Sequence, residues 1–169
     1  MILLKTIHGS RLYGLDHANS DEDWYSVVRD SKRIIHKIEG DQDVMVIDYA
    51  SFMRQCEKGV PQALESMYSQ KAVEDSMQSI REGFIPNYTN AFSTYTRTIR
   101  AFAKCGDLKH QRHALRLAYN LEDLYHNGRF NPTLDKDQRA SVLSFEQVIE
   151  PEELIERISL NGTFDVRKE

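Results

Sequence analysis

Cysteine, proline and tryptophan are scarce here: two, four and one among 169 residues. Cys56 and Cys105 are far apart and make no Cys-x-x-Cys pair, so reduced core thiols are expected, not a disulfide or a metal site. Apolar runs are short as well. None approaches the roughly 18 residues a membrane helix needs. The opening "MILLKTIHGS" is apolar for only a few residues, without a basic segment or a cleavage site. The expectation is an unprocessed cytoplasmic chain with no membrane partner. An excess of basic charge is missing too, because the net charge is −4. No partner is captured by a broadly basic surface, so a phosphate-bearing substrate would need local basic groups or a divalent metal. Internal repeats and low-complexity segments are lacking. What is present is the balance of a globular protein, with 40% hydrophobic and 28% charged residues.

The β-forming stretches crowd into roughly the first 50 residues. Leu3 to Ile7, Asp21 to Val28 and "DVMVIDY" (Asp43 to Tyr49) read as strands, and "RIIHKI" (Arg33 to Ile38) as a peripheral one. Helical patterns follow. "SFMRQCEKG" carries cap signals at both ends, and Pro61 suits the first turn of "PQALESMY". After Pro86, Tyr88, Phe92, Tyr95, Ile99 and Phe102 recur on one helical face, ended by Gly106. A further helix runs through Leu117, Leu121 and Leu124 to Gly128, and the Pro-led "PEELIERISLNG" is the last. Strands before helices predict an α+β fold: a small mixed sheet followed by a helical region. Residues 69–86 are the expected joint between a core at 1–69 and a helical part at 70–169 that completes the cleft.

One stretch stands apart, "HGSRLYGLDHANSDEDWYSV" (His8 to Val27). It can be read as a strand, a turn and a solvated acidic loop. A calcium loop fails, since from Asp16 the third position is Ala18 and the sixth is Asp21 rather than glycine. The third reading is a site. Asp21 and Asp23 alternate along an extended strand and share a face. Carboxylates held together repel unless a cation sits between them, and Mg²⁺ is commonly held by one or two carboxylates plus substrate phosphates. Gly9 and Ser10 follow a strand, where glycine lets backbone approach a ligand and turn amides can cradle phosphate.

Gly9-Ser10, ten intervening residues and Asp21-x-Asp23 resemble the signature of the DNA polymerase β-like nucleotidyltransferase superfamily. "GSRLYGLDHANSDEDW" is similar to the GSxxYG…SDxD form of the predicted nucleotidyltransferases called YcgL or RlaP, which are associated with RNA-repair genes. The likeness continues at Asp43, Gly59, Pro61, Leu64 and Glu65, and more loosely through "KHQRHALR" at Lys109, His113 and Arg116. His8, Glu22 and Ser26 depart from the pattern.

The resemblance implies a palm-like core and a nucleotidyltransferase. Asp21, Asp23 and Asp43 would be catalytic and would bind Mg²⁺ or Mn²⁺. Asp48 is the rival third carboxylate, and could equally cap a helix. Gly9, Ser10, Arg11, Lys109 and Arg116 would contact the nucleotide, and Glu65 would fix helices against the sheet. His110 and His113, three apart on a helix, are a weak zinc alternative. The implied reaction moves an NMP from an NTP to a hydroxyl of an RNA end, a protein or a small molecule, releasing pyrophosphate. The alternative is a non-catalytic nucleotide-binding or antitoxin-like regulatory module of the same fold.

Overall fold

The computed structural model describes residues 1–30 and 34–161. Five strands are β1 (Ile2–His8), β2 (Glu22–Val28), β3 (Ile35–Glu39), β4 (Gln42–Asp48) and β5 (Ala72–Asp75). Among the described residues there are eight helices: α1 (Gly9–Tyr13), α2 (Tyr49–Glu57), α3 (Pro61–Tyr68), α4 (Gln78–Gly83), α5 (Tyr88–Cys105), α6 (Leu108–Asn127), α7 (Lys136–Ser144) and α8 (Pro151–Asn161). The fold is α+β. Arg33, expected to begin the peripheral strand, and Gly162, expected to end the last helix, lie outside the described residues. None of the described helices is long and apolar enough to cross a membrane.

The sheet order is β3-β4-β2-β1-β5. All pairs are antiparallel except β2 and β4, which run parallel. The sheet is therefore mixed. Alternation sends Leu4, Thr6, Tyr25, Val27 and Ile47 to the face covered by helices, where all five are buried. Leu4, Tyr25, Val27 and Ile47 join one hydrophobic cluster that also takes in Leu64, Tyr95, Leu117, Leu121 and Ile158. Strands and helices thus share a core.

The stretch 69–86, expected as a joint, holds β5 and α4. β5 pairs with β1, and Arg81 of α4 binds Asp75 and the carbonyls of Met67 and Ser69. Three helices arise where none was expected, α4 among them. Gly9–Tyr13, read as a turn, is a short helix closing through Gly14. Lys136–Ser144 forms α7 on a capping box, in which Asp135 and Gln138 each bond the other's backbone N–H.

α3 is buried on nearly every side, with Ala63 through Tyr68 inaccessible. That includes Glu65. The thiols divide. Both are free, but Cys56 is buried in the core while Cys105 is exposed at the end of α5, contrary to the expectation of two core thiols.

Candidate functional site

Strand pairing builds the site. The β1–β2 register sets His8 opposite Asp23, and the β2–β4 register sets Asp23 opposite Asp43. Strands in a sheet are about 4.8 Å apart, so three ionisable side chains form a row on one face. Glu22 points to the other face, where the Gln42 amide donates to it at 2.8 Å. The row opens on a cavity of about 770 Å³ that also takes in Ser10, Asp21 and Lys109.

The turn after β1 is shaped by this row. Gly9 has φ +66°, a left-handed conformation, and a Cβ there would collide with Asp23 Oδ2. Glycine is required twice over: for the backbone and for the carboxylate beside it. Ser10 lines the cavity, and its hydroxyl has no hydrogen bond among the described residues. Arg11 is used otherwise than expected. Its guanidinium donates to the carbonyls of Ser20 at 2.9 Å and Asp21 at 3.2 Å. That fastens the loop bearing Asp21 to α1. Asp21 itself is exposed, one residue ahead of β2.

The two rivals for the third carboxylate separate clearly. Asp48 caps α2, accepting from the Ser51 amide at 2.9 Å, and Ser51 holds its carboxyl below the usual range. Asp43 faces Asp23. His36 of β3 rests its Nε2 against Asp43 Oδ1, yet that oxygen is buried with no aligned hydrogen-bond donor among the described residues.

Burial, then the neighbouring Asp43 carboxylate, push the Asp23 pKa up. Burial lowers that of His8, and Glu65 partly opposes it. Among the described residues no three His, Cys, Asp or Glu side chains already enclose a metal ion. The in-register pair fits a divalent cation all the same. It supplies two mutually repelling carboxylates that open on the cavity, and Mg²⁺ commonly takes its remaining ligands from phosphates and water.

Behind the row lies a second network. Glu65 is fully buried; it accepts from Tyr13 Oη at 2.7 Å and from Arg116 Nη1 at 2.5 Å. Its Oε2 is 3.8 Å from His8 Nε2. The Arg116 guanidinium also stacks on Tyr13, 3.6 Å from the ring centroid. Glu65 thus ties α1, α3 and α6 together. Arg116, expected to contact the nucleotide, is buried in this ion pair, because an internal carboxylate needs a partner. Lys109 does face the site: it is exposed on the cavity wall, and its charge acts on Asp23.

The two helical histidines both pack on Phe102; His110 also pairs with Asp107, and His113 lies against Tyr13. His113 is half-buried beside Arg116; that desolvation lowers its pKa from 6.5 to about 4, with Arg116, Lys109 and His110 reinforcing and Glu65 opposing. A depressed histidine pKa means that the unfolded chain binds the extra proton first. Stability is therefore unaffected above pH 6.5 and falls as pH drops toward 4. The loss reaches on the order of 2–3 kcal/mol. Urea titrations at several pH values should show a shallower acid slope in His113→Gln than in the wild type.

His8 and His36 entered no expected set of site residues, although both touch the carboxylate network. The cue for His36 is the antiparallel pairing of Ile35–Glu39 with β4, which puts His36 on the same face as Asp43. For His8 it is the β1–β2 register, which a single strand does not reveal. No family model and no curated protein matches the chain.

Proposed function

We propose that this chain is a divalent-cation-dependent nucleotidyltransferase of the polymerase β-like kind. It moves an NMP from an NTP to a hydroxyl acceptor, an RNA end, a protein or a small molecule. The observation that carries the reading is the in-register pair Asp23–Asp43 beside the Gly9-Ser10 turn. Asp23 and Asp43, with Asp21 from the loop, hold Mg²⁺ or Mn²⁺, which when bound neutralises charge on the phosphate oxygens. The Ser10 hydroxyl and the turn amides contact the β- and γ-phosphates. Lys109 offsets triphosphate charge that a chain of net charge −4 otherwise repels. The acceptor oxygen attacks the α-phosphorus and gives its proton to Asp43. The bond to the β-phosphate breaks, and pyrophosphate leaves.

The test is transfer of label from each α-labelled NTP to mixed RNA, protein and metabolite acceptors with Mg²⁺ or Mn²⁺. Asp23→Asn and Asp43→Asn should each reduce transfer on the order of a thousandfold, or about 4 kcal/mol of barrier. Asp48→Ala should leave the rate unchanged and cost about 0.5–2 kcal/mol of stability for the lost cap. A second readout separates function from folding. Because the Asp23 pKa is raised, its charged form disfavours the native state at neutral pH. Asp23→Asn should therefore raise Tm in metal-free buffer while abolishing transfer. Transfer that persists in both variants sinks the site.

A nucleotide-binding module without transfer is the second reading, favoured by the absence of a preformed three-carboxylate group among the described residues. It predicts Mg²⁺-dependent thermal stabilisation by NTPs with no labelled product.

A further inference from the structure

The proposed transfer leaves one hollow without a role. A second cavity, of about 330 Å³, sits among α3, α5 and α6. It shares Tyr13, Gln62 and His113 with the first. Its lining is largely aromatic and aliphatic. Phe102 and His113 stand with ring centroids 5.7 Å apart and planes inclined by 37°. One polar atom there is anomalous. Arg116 Nε is buried with no acceptor among the described residues, although the same guanidinium binds Glu65 and stacks on Tyr13. A buried N–H left unpaired is unfavourable; this one is sealed from solvent in the free chain, so an acceptor pairs with it only as the ligand displaces the cavity wall. The exposed Gln62 amide makes no hydrogen bond among the described residues, and it offers both a donor and an acceptor.

A ligand for this hollow must be flat, present a π face to the aromatic wall and carry ring acceptors on its edge. A purely aliphatic group would satisfy the walls and leave Arg116 Nε unpaired. We propose that the second cavity receives the base of the nucleotide whose phosphates occupy the first, an inference that rests on the nucleotidyl-transfer reading of that first cavity. The base stacks on Phe102 and His113. A ring nitrogen or carbonyl accepts from Arg116 Nε, and Gln62 reads the edge, as amide side chains read base edges elsewhere.

Calorimetric titration of the full chain with Mg²⁺ tests this, using ATP, GTP, CTP and UTP against inorganic tripolyphosphate. At least one NTP should bind on the order of tenfold or more tighter than tripolyphosphate, the size of a stacking contribution. Thr98→Phe, which fills the hollow from α5, should bring that NTP within about twofold of tripolyphosphate. Phe102→Leu removes the stacking face, and serves as the second variant should Thr98→Phe melt early. NTPs that bind no tighter than tripolyphosphate, or a preference surviving both variants, overturn the base site while leaving the phosphate site intact. Equal weakening of NTP and tripolyphosphate assigns these residues to the fold and overturns it too. If neither ligand binds, the reading of the first cavity falls, and this inference with it.

Discussion

Glu65→Ala should lower the free energy of unfolding by about 3–5 kcal/mol, the usual effect of breaking a buried ion pair from one side. Glu65 is wholly inaccessible and Arg116 nearly so, which leaves water little room to replace the lost carboxylate. The Tyr13 hydroxyl loses its acceptor in the same step. The damage is mostly the stranded guanidinium, not the lost attraction. It follows that Glu65→Leu combined with Arg116→Met should recover much of the stability, because similar volume returns without an unpaired charge. Urea denaturation of the two single variants and the double variant forms the cycle that checks this. A double variant as unstable as the sum of the singles would show no coupling between Glu65 and Arg116 and would overturn this account. The same network positions α1, so Glu65→Ala should also loosen the Gly9-Ser10 turn.

Gly59→Ala should be comparably severe, at about 2–5 kcal/mol, from left-handed backbone strain plus overpacking. Gly59 lies between α2 and α3 with φ +69°. A Cβ there would overlap the backbone N and Cα of Ala91 in α5. Backbone cannot rotate aside as a side chain can. The approach is held close by Asn90 Nδ2 donating to the Glu57 carbonyl at 2.9 Å and Thr94 Oγ1 to that of Lys58 at 2.7 Å. Gly83→Ala is the control. Its added methyl group meets nothing within 4 Å. Alanine there should leave thermal stability unchanged or slightly higher.

Much of this was legible in the sequence where local chemistry decides structure. Pro61 at the head of α3, the left-handed Gly106 and Gly128 at the ends of α5 and α6, and the apolar stripe from Tyr88 to Phe102 announce their helices directly. Alternation alone separated Glu22 from Asp23. What stayed hidden depends on pairing. β5 is four residues of "AVED", half exposed, and becomes a strand only because β1 offers it an edge. α7 buries only Val142, so it carries almost no amphipathic signal. Arg11 and Arg116 illustrate the limit at the site. An arginine near a glycine-rich turn and another on a charged helix both suit a phosphate, but one holds loop carbonyls and the other balances a buried glutamate. The sequence lists the charges; only packing says which are already engaged.

The division between the two thiols has a practical consequence. Burial pushes the Cys56 thiol far above its ordinary pKa, so an alkylating reagent at neutral pH meets one reactive sulfur, Cys105. It sits four residues before Lys109, at the corner where α5 turns into α6. A single fluorophore can be attached at the end of α5 without introducing or removing any cysteine. A second equivalent can add only when the core opens, which makes the native chain its own clock for unfolding.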